Sequence, residues 1–329
     1  DDVPIPDVVA ADDVRVRVRA GALNHLDLWV VEGVPGVRIT PGWILGSDCA
    51  GIVDAIGSAV TSVRVGDHVV VNPGVSDRTC EYCRTGDNPL CLRYAILGEH
   101  RPGVLADFVV VPAANVLPIP VQVPFTTAAA FPLATLTAWR MVVTRANVRE
   151  ADHVLIRGIG GGVALAALQI SKWLGARVWV TSGSDAKLER ARLLGADDVV
   201  NHRTQDVAKE VRARTGKRGV DVVIDSVGEA TWASSLGSLG KRGRLVTCGG
   251  TSGPLVQTDV RRLFWNQWTI MGSTMGSDAE FAAITDQLRA GRLYPPVDSE
   301  IPLEHGRRAF ERLGSGEQFG KVVVTVTDA

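Results

Sequence analysis

Three of the chain's five cysteines fall in one short stretch, "DRTCEYCRTGDNPLC", where Cys80 and Cys83 are spaced C-x-x-C and Cys91 follows. Thiolates at that spacing are ligands for a borderline-soft cation, and a closed tetrahedral zinc site takes four donors. The spacing names three and leaves the fourth open. Cys49 and Cys248 stand alone in apolar surroundings. The cysteines therefore make no disulfide framework and fit a reducing, cytoplasmic setting.

A second stretch with chemistry in it is "VLIRGIGGGVALAALQ". It reads as a strand, a glycine turn and a helix start, whose backbone N–H groups would face a pyrophosphate. Two registers of the glycine fingerprint fit. One begins at Gly158 and leaves Val163 at the last glycine position. The other keeps Gly161, runs through Gly162 and Val163, and ends on Ala164, where alanine is permitted; it is preferred. The next strand ends "WVTSGSDAKL", with Ser182 where a carboxylate would bind the ribose 2′-hydroxyl of NAD. Asp185 is read as the cap of the following helix. A hydroxyl at Ser182, the ammonium of Lys187, and His202 beside Arg203 at the end of the third strand suit a 2′-phosphate. They predict NADPH.

The elements that must position these residues have two rhythms. In "VRVRVRA", Val14, Val16 and Val18 alternate with Arg15, Arg17 and Arg19, the period of a half-buried strand. Similar short strands separated by turns continue to about residue 121, as in a compact barrel or sandwich. From about Asp152, strands alternate with amphipathic helices, the pattern of a doubly wound parallel sheet. A final strand, "KVVVTV", is expected to rejoin the first domain. The fold class is α/β, with residues 1–121 and 291–329 forming one domain and 122–290 the other. With 329 residues, 46% hydrophobic content, 22% charged content and a net charge of −1, the chain has the balance of a globular protein. Nothing in that balance favours nucleic acid or a membrane surface as partner, and no apolar run is long enough for a span.

Taken together, "RAGALNHLDLW", "LGSDCAGIVDAIGSAVTSVRVGDHVV", the cysteine loop, the glycine turn, "VDVVIDSVG" and "LVTCGGTSG" resemble the medium-chain dehydrogenase/reductase superfamily over essentially the whole chain. The resemblance implies a GroES-like β domain and a Rossmann domain, with at least a dimer (a homodimer or homotetramer) through the edge strand near Trp268–Gly272. By the same comparison the chain starts about one strand late. In zinc alcohol dehydrogenases of this family a Cys, a His and a Cys hold a catalytic zinc. Those positions fall here on Asn24, Ser47 and Leu133, none of them a good ligand. Asn24 with Asp27 and "DSVG" instead looks like the quinone oxidoreductase branch, which works without that zinc.

The family's structural lobe places its four ligands on Asp77, Cys80, Cys83 and Cys91, making the carboxylate of Asp77 the fourth donor to a structural zinc. The resemblance also assigns His25, Thr137 and Gly249 to the cofactor. Asn24, Asp48 and His100 are the candidates for catalysis: Asn24 orienting a carbonyl, Asp48 on the site wall, His100 as proton donor. The expected activity is NADPH-dependent reduction of quinones or α,β-unsaturated carbonyls, with a small carbonyl or quinone as partner. Two alternatives stay open. One is an alcohol or aldehyde dehydrogenase with an atypical metal site at Asp48, Cys49 and His25; the other is a non-catalytic NADPH-binding member.

Overall fold

The computed structural model describes residues 3–34 and 37–327. The chain divides into two compact units, Asp1–Leu136 with Met275–Ala329, and Thr137–Thr274. The segments 122–136 and 275–290, which the sequence reading places with the second domain, pack with the first. The reason lies in their contacts. The helix Phe125–Ala129 lies against the first sheet, and Arg289 donates through Nε to the Pro118 carbonyl at 3.0 Å.

The first unit opens with β1 (Asp13–Ala22), β2 (Asp48–Ile56), β3 (His68–Val71), β4 (Gly74–Val75), β5 (Ala95–Ile96), β6 (Phe108–Pro112) and β7 (Val116–Pro118). In β1 the valines point inward and the arginines outward, as the alternation requires. Arg15 and Arg17 reach across to Asp54 on β2, at 2.7 and 3.2 Å. The core behind them is almost wholly valine, including Val14, Val16, Val18, Val53, Val69, Val71, Val109 and Val111. β-branched side chains fill a pleated inner face well.

The second unit carries β8 (His153–Ile156), β9 (Arg177–Ser182), β10 (Asp198–Asn201), β11 (Val220–Asp225), β12 (Leu239–Thr247) and β13 (Thr269–Gly272). All pair in parallel, in the order β10-β9-β8-β11-β12-β13. Counted within the unit this is the 3-2-1-4-5-6 order of a dinucleotide-binding sheet. Its strands β8, β9 and β11 are buried along most of their length, as the centre of a sheet covered on both faces demands.

The chain then returns to the first unit with β14 (Val297–Pro302) and β15 (Lys321–Thr325). β15 pairs with the last residues of β1, extending the order to β14-β15-β1-β2-β3-β7, and β6 joins β1 along its first half. No helix among the described residues is long and apolar enough to cross a membrane.

Candidate functional site

Asn24 closes the loop after β1 and caps the helix His25–Glu32; the Asp27 carboxylate returns the bond by accepting from the Asn24 backbone N–H at 2.7 Å. Asp48 opens β2 and is fully buried. Hydrogen bonds converge on this carboxylate from three directions. Asn24 Nδ2 donates to Oδ2 at 2.8 Å, the Leu133 backbone N–H donates to Oδ1 at 2.7 Å, and Lys321 Nζ donates to Oδ2 at 2.9 Å. Lys321 Nζ also donates to Asn24 Oδ1.

The Lys321 ammonium, 3% exposed at the start of β15, thus fixes which way the Asn24 amide faces. Sequence reasoning missed Lys321. A lysine opening a strand reads as solvated, and burial this deep requires the partner that only the fold supplies.

The positions that hold zinc ligands in the resembling alcohol dehydrogenases meet around this cluster. Asn24 and the Leu133 N–H both bind Asp48, while Ser47 turns its hydroxyl away to the Leu97 carbonyl at 2.8 Å. Both Asp48 oxygens are engaged, Oδ1 by the Leu133 N–H and Oδ2 by the Asn24 amide and the Lys321 ammonium. The Cys49 thiol is buried, and burial pushes it far above its usual range, so it stays protonated. His25 is held below the usual histidine range by the protein packed around it, with Glu32 opposing and Lys321 adding to the effect. These three residues do not form a metal-binding group among the described residues.

Burial pushes the Asp27 carboxyl up to about 7, against the N–H groups of Asn24 and Gly46 and the charge of Lys321. The folded chain therefore holds this proton to higher pH than the unfolded chain does. Stability is favoured below the unfolded value and falls as pH rises through the folded one. Asp27→Asn removes that dependence. Between pH 5 and pH 8 the wild type is expected to lose roughly 1–3 kcal/mol more than the variant, read from urea midpoints. Parallel pH profiles for the two proteins would show that Asp27 carries no such load.

His100 lies elsewhere, half-exposed on the turn after β5. Its Nδ1 accepts the Ile96 N–H at 3.3 Å and lies 3.5 Å from Glu99 Oε2. No hydrogen bond among the described residues joins it to the Asn24 cluster.

Asp77, Cys80, Cys83 and Cys91 do come together, offering one ligand atom each, all within 4.8 Å of one another. They sit on the excursion between β4 and β5, which pair at its base. The loop is wired for anionic donors. The backbone N–H groups of Asp77 and Arg93 both donate to Cys91 Sγ at 3.3 Å, and those of Thr79 and Cys80 donate to Asp77 Oδ1. Backbone N–H groups of Cys80 and Thr79 hold the Asp77 carboxyl well below the usual range. The Cys80 thiol is lowered by backbone N–H donors of Cys83 and Leu92. Burial and the neighbouring thiols instead push Cys83 up to about 12. Three cysteines and a carboxylate this close can all be anionic together only when a divalent cation neutralises them, so the donor set and its spacing fit tetrahedral zinc.

In the second unit the candidate cofactor residues other than Thr137 follow the carboxyl ends of parallel strands, where dinucleotide sites are built. After β8, Gly158 and Gly160 take φ of +69° and +125°, and Gly161 stands immediately before the helix Gly162–Trp173. A Cβ at Gly161 would meet no atom within 4 Å, which leaves the open approach a phosphate needs. Val163 lies in the first turn. Thr137 is buried in the helix Pro132–Trp139, and Gly249 follows β12, its carbonyl accepting from Thr247 Oγ1 at 3.1 Å.

Ser182 ends β9 with its Oγ accepting the Ser184 N–H at 3.2 Å. Ser184, not Asp185, caps the helix Asp185–Leu193, its hydroxyl accepting the Lys187 N–H. Asp185 is one residue too late to cap and instead accepts from Asn201 Nδ2 at 2.7 Å. The side chain that ends β9 is thus a hydroxyl, and the nearby Asp185 carboxylate is bound through Oδ1 to Asn201. Beside Ser182, a Cβ on Gly183 would fall 2.7 Å from Arg203 Nε and 3.1 Å from His202 Nε2.

Residues 162–290 match the zinc-binding dehydrogenase family, and residues 10–121 match the alcohol dehydrogenase GroES-like domain. A crystal structure of an NAD-dependent alcohol dehydrogenase is 43% identical, with a TM-score of 0.95, over 99% of this chain and 95% of that one. The acryloyl-coenzyme A reductase of Metallosphaera sedula is 29% identical over 96% of this chain and 93% of its own length. Human quinone oxidoreductase is 26% identical over 98% of this chain and 91% of its own. The two-unit architecture, the glycine turn on a 3-2-1-4-5-6 sheet and these likenesses agree: the chain belongs to the medium-chain dehydrogenase/reductase superfamily and is an oxidoreductase of it.

Proposed function

We propose that this oxidoreductase uses NADPH to reduce quinones or α,β-unsaturated carbonyl compounds, without a catalytic zinc. The observation that carries the reading is the Asn24–Asp48–Lys321 cluster. Where related alcohol dehydrogenases set three metal ligands, this chain sets an amide, a hydroxyl turned away and a backbone N–H, around a carboxylate already neutralised by an ammonium.

Bound NADPH supplies a hydride. The chain's own residues then have two tasks. Gly161 and the first turn of its helix hold the pyrophosphate. Asn24, whose amide has one N–H beyond the bond to Asp48, donates to the acceptor's carbonyl oxygen as charge gathers there. An acceptor that delocalises this charge, as a quinone or enone does, needs no Lewis acid, and solvent then supplies the proton that completes the reduction. Relatives named for quinone and acryloyl-thioester reduction support that acceptor class. A hydroxyl at Ser182 where a carboxylate would bind the ribose of NAD, with His202 and Arg203 beside Gly183, supports NADPH. Asp77, Cys80, Cys83 and Cys91 would hold a structural zinc away from this chemistry.

The open edge of β13 supports a homodimer. The adjoining helix Val260–Asn266 exposes Val260, Phe264 and Trp265, and an apolar border beside an unpaired strand edge favours pairing with a second copy.

The test is turnover. With NADPH, kcat/KM for an enone or benzoquinone should exceed that for a primary alcohol with NAD+ by about a hundredfold or more, roughly 2.7 kcal/mol of barrier. It should survive a chelator treatment that leaves the lobe's metal in place by elemental analysis. Chelator-sensitive alcohol oxidation, with a second zinc per chain, would return the reading to a metal-dependent alcohol dehydrogenase.

A further inference from the structure

On the second unit, the helix Val207–Arg214 after β10, the helix Glu229–Ser238 after β11 and the helix Val260–Asn266 border an open groove of about 630 Å³. Its floor is made of alanines and Gly237. A Cβ at Gly237 would fall 3.1 Å from the Ala208 side chain, so the first two helices lie close together. Four cations line the groove, Lys209, Arg212, Lys217 and Arg262, against one carboxylate, Asp206. Asp206 caps the first helix, accepting the Lys209 N–H at 3.1 Å, and lies 3.6 Å from Lys209 Nζ. The neighbouring acidic side chains are spent on other partners, Glu210 on Arg214 at 2.6 Å and Asp259 on Arg261 at 3.2 Å. Arg212, Lys217 and Arg262 make no ion pair among the described residues.

Both guanidinium groups are fixed in advance. Arg212 donates through Nε to the Gly237 carbonyl at 3.2 Å and through Nη1 to the Lys217 and Arg218 carbonyls at 2.8 and 3.2 Å. Its Nη2 donates to the Leu239 carbonyl. Four of the five N–H groups thus go to neutral acceptors, which hold the charge in place without a counter-charge. Arg262 lies over the Trp268 ring, 5.3 Å from its centroid, and that indole donates to the Gly240 carbonyl at 2.8 Å. Burial holds Arg212 below the usual arginine range, and the charge of Arg262 adds to the effect. A further cation stands behind the groove wall. Ser234 donates to the Thr231 carbonyl at 2.9 Å and accepts from Arg157 Nη2 at 3.0 Å. Arg157 is 3% exposed, with Nε and Nη1 buried without a partner.

We infer that this groove, which shares no residue with the glycine turn, is a second anion site and takes the diphosphate of a small molecule. Arg262, the two ammonium groups and the remaining N–H of Arg212 donate to its oxygens. Guanidinium forks match phosphate oxygens in pairs, and a recess lined by one sign of charge concentrates anions of the other. The volume is that of a small-ligand pocket.

The experiment is calorimetric titration of inorganic pyrophosphate, and separately of ATP, into the cofactor-free wild type, Arg262→Gln, Lys217→Gln and Arg261→Gln. Arg262→Gln and Lys217→Gln should each weaken pyrophosphate binding about tenfold, as loss of a charge-assisted bond to phosphate implies. Arg261 is on the same helix but outside the groove, 86% exposed and paired with Asp259, so Arg261→Gln should change the affinity less than twofold. ATP that follows the same ranking and binds more tightly than pyrophosphate upholds the site and assigns it to nucleotides. ATP that binds more weakly upholds it for smaller phosphorylated compounds.

Pyrophosphate that ignores Arg262→Gln and Lys217→Gln is held at the glycine turn alone, and the inference falls. It falls equally if the wild type binds no pyrophosphate, or if Arg261→Gln weakens binding as much as the other two, which reduces the effect to net charge. Lys217 and Arg262 are exposed, so both variants should keep the wild-type Tm; should Arg262→Gln fail to fold, Lys217→Gln decides by the same criteria.

Discussion

Lys321→Met is expected to destabilise the folded chain by about 3–5 kcal/mol, because it leaves the Asp48 carboxylate buried with its counter-charge gone. Chemical denaturation of the variant should show the loss directly. Lys321 also holds Asn24 Oδ1, so the amide loses the bond that fixes its orientation. Reductase turnover should fall with it, by about a hundredfold at a donor whose aim matters to the transition state. Pairing the change with Asp48→Asn separates the two effects. The double variant removes both charges and should regain most of the lost stability. Its Asn24 still lacks the lysine and should stay slow. If Lys321→Met alone were as stable as the wild type, the cluster would not carry the buried charge pair its geometry describes.

The second large effect concerns the cysteine lobe. Cys91→Ser is expected to take zinc from one per chain to none by elemental analysis, and to lower Tm by about 10 °C, the shift that a loss of a few kcal/mol produces in a chain of this size. The damage should spread along defined contacts. Arg78, next to the candidate ligand Asp77, donates through Nε to Asp278 Oδ2 and through Nη2 to Asn115 Oδ1, both at 3.1 Å. Asn88, three residues before Cys91, accepts from the Asp278 N–H at 3.2 Å. Hydrogen exchange should therefore quicken at the start of the helix Asp278–Arg289 as well as in the lobe. Chemistry at the Asn24 cluster should persist at low temperature, with kcat within about threefold of the wild type, since surplus structural damage rather than a lost reacting group is at stake. A chain that never carried zinc, or one whose turnover vanished with it at low temperature, would contradict this division of labour.

Much of this could be read from the residues because the signals are local. Alternating Val and Arg marks β1, and glycines before an apolar helix mark the turn after β8. Three cysteines and an aspartate within fifteen positions mark the lobe. What escaped is non-local or depends on a single residue. Lys321 gains its meaning from Asp48, 273 residues earlier, and no pattern near "FGKVVV" announces it. Arg157 is one charged side chain in an apolar strand end, and only its burial and unmet donors set it apart. Ser184 and Asp185 are both good caps. Which of them serves is decided by where the chain leaves β9, a difference of one residue. The segments 122–136 and 275–290 fit either unit by composition. Hydrogen bonds such as Arg289 to Pro118 assign the second of them to the first.

That long separation bears on how the protein is made. A ribosome delivers Asn24 and Asp48 first, then the whole of the second unit, and Lys321 only after it. The middle unit can fold as it emerges, since all its strands come from one continuous stretch. The first unit cannot be completed until β15 slots in beside β1, and until then Asp48 waits without its counter-charge. Between the emergence of β1 and that of β15 the nascent chain therefore carries an unfinished β sheet in which Ala20, Gly21 and Ala22 lack their partner strand, a short stretch open to unwanted pairing.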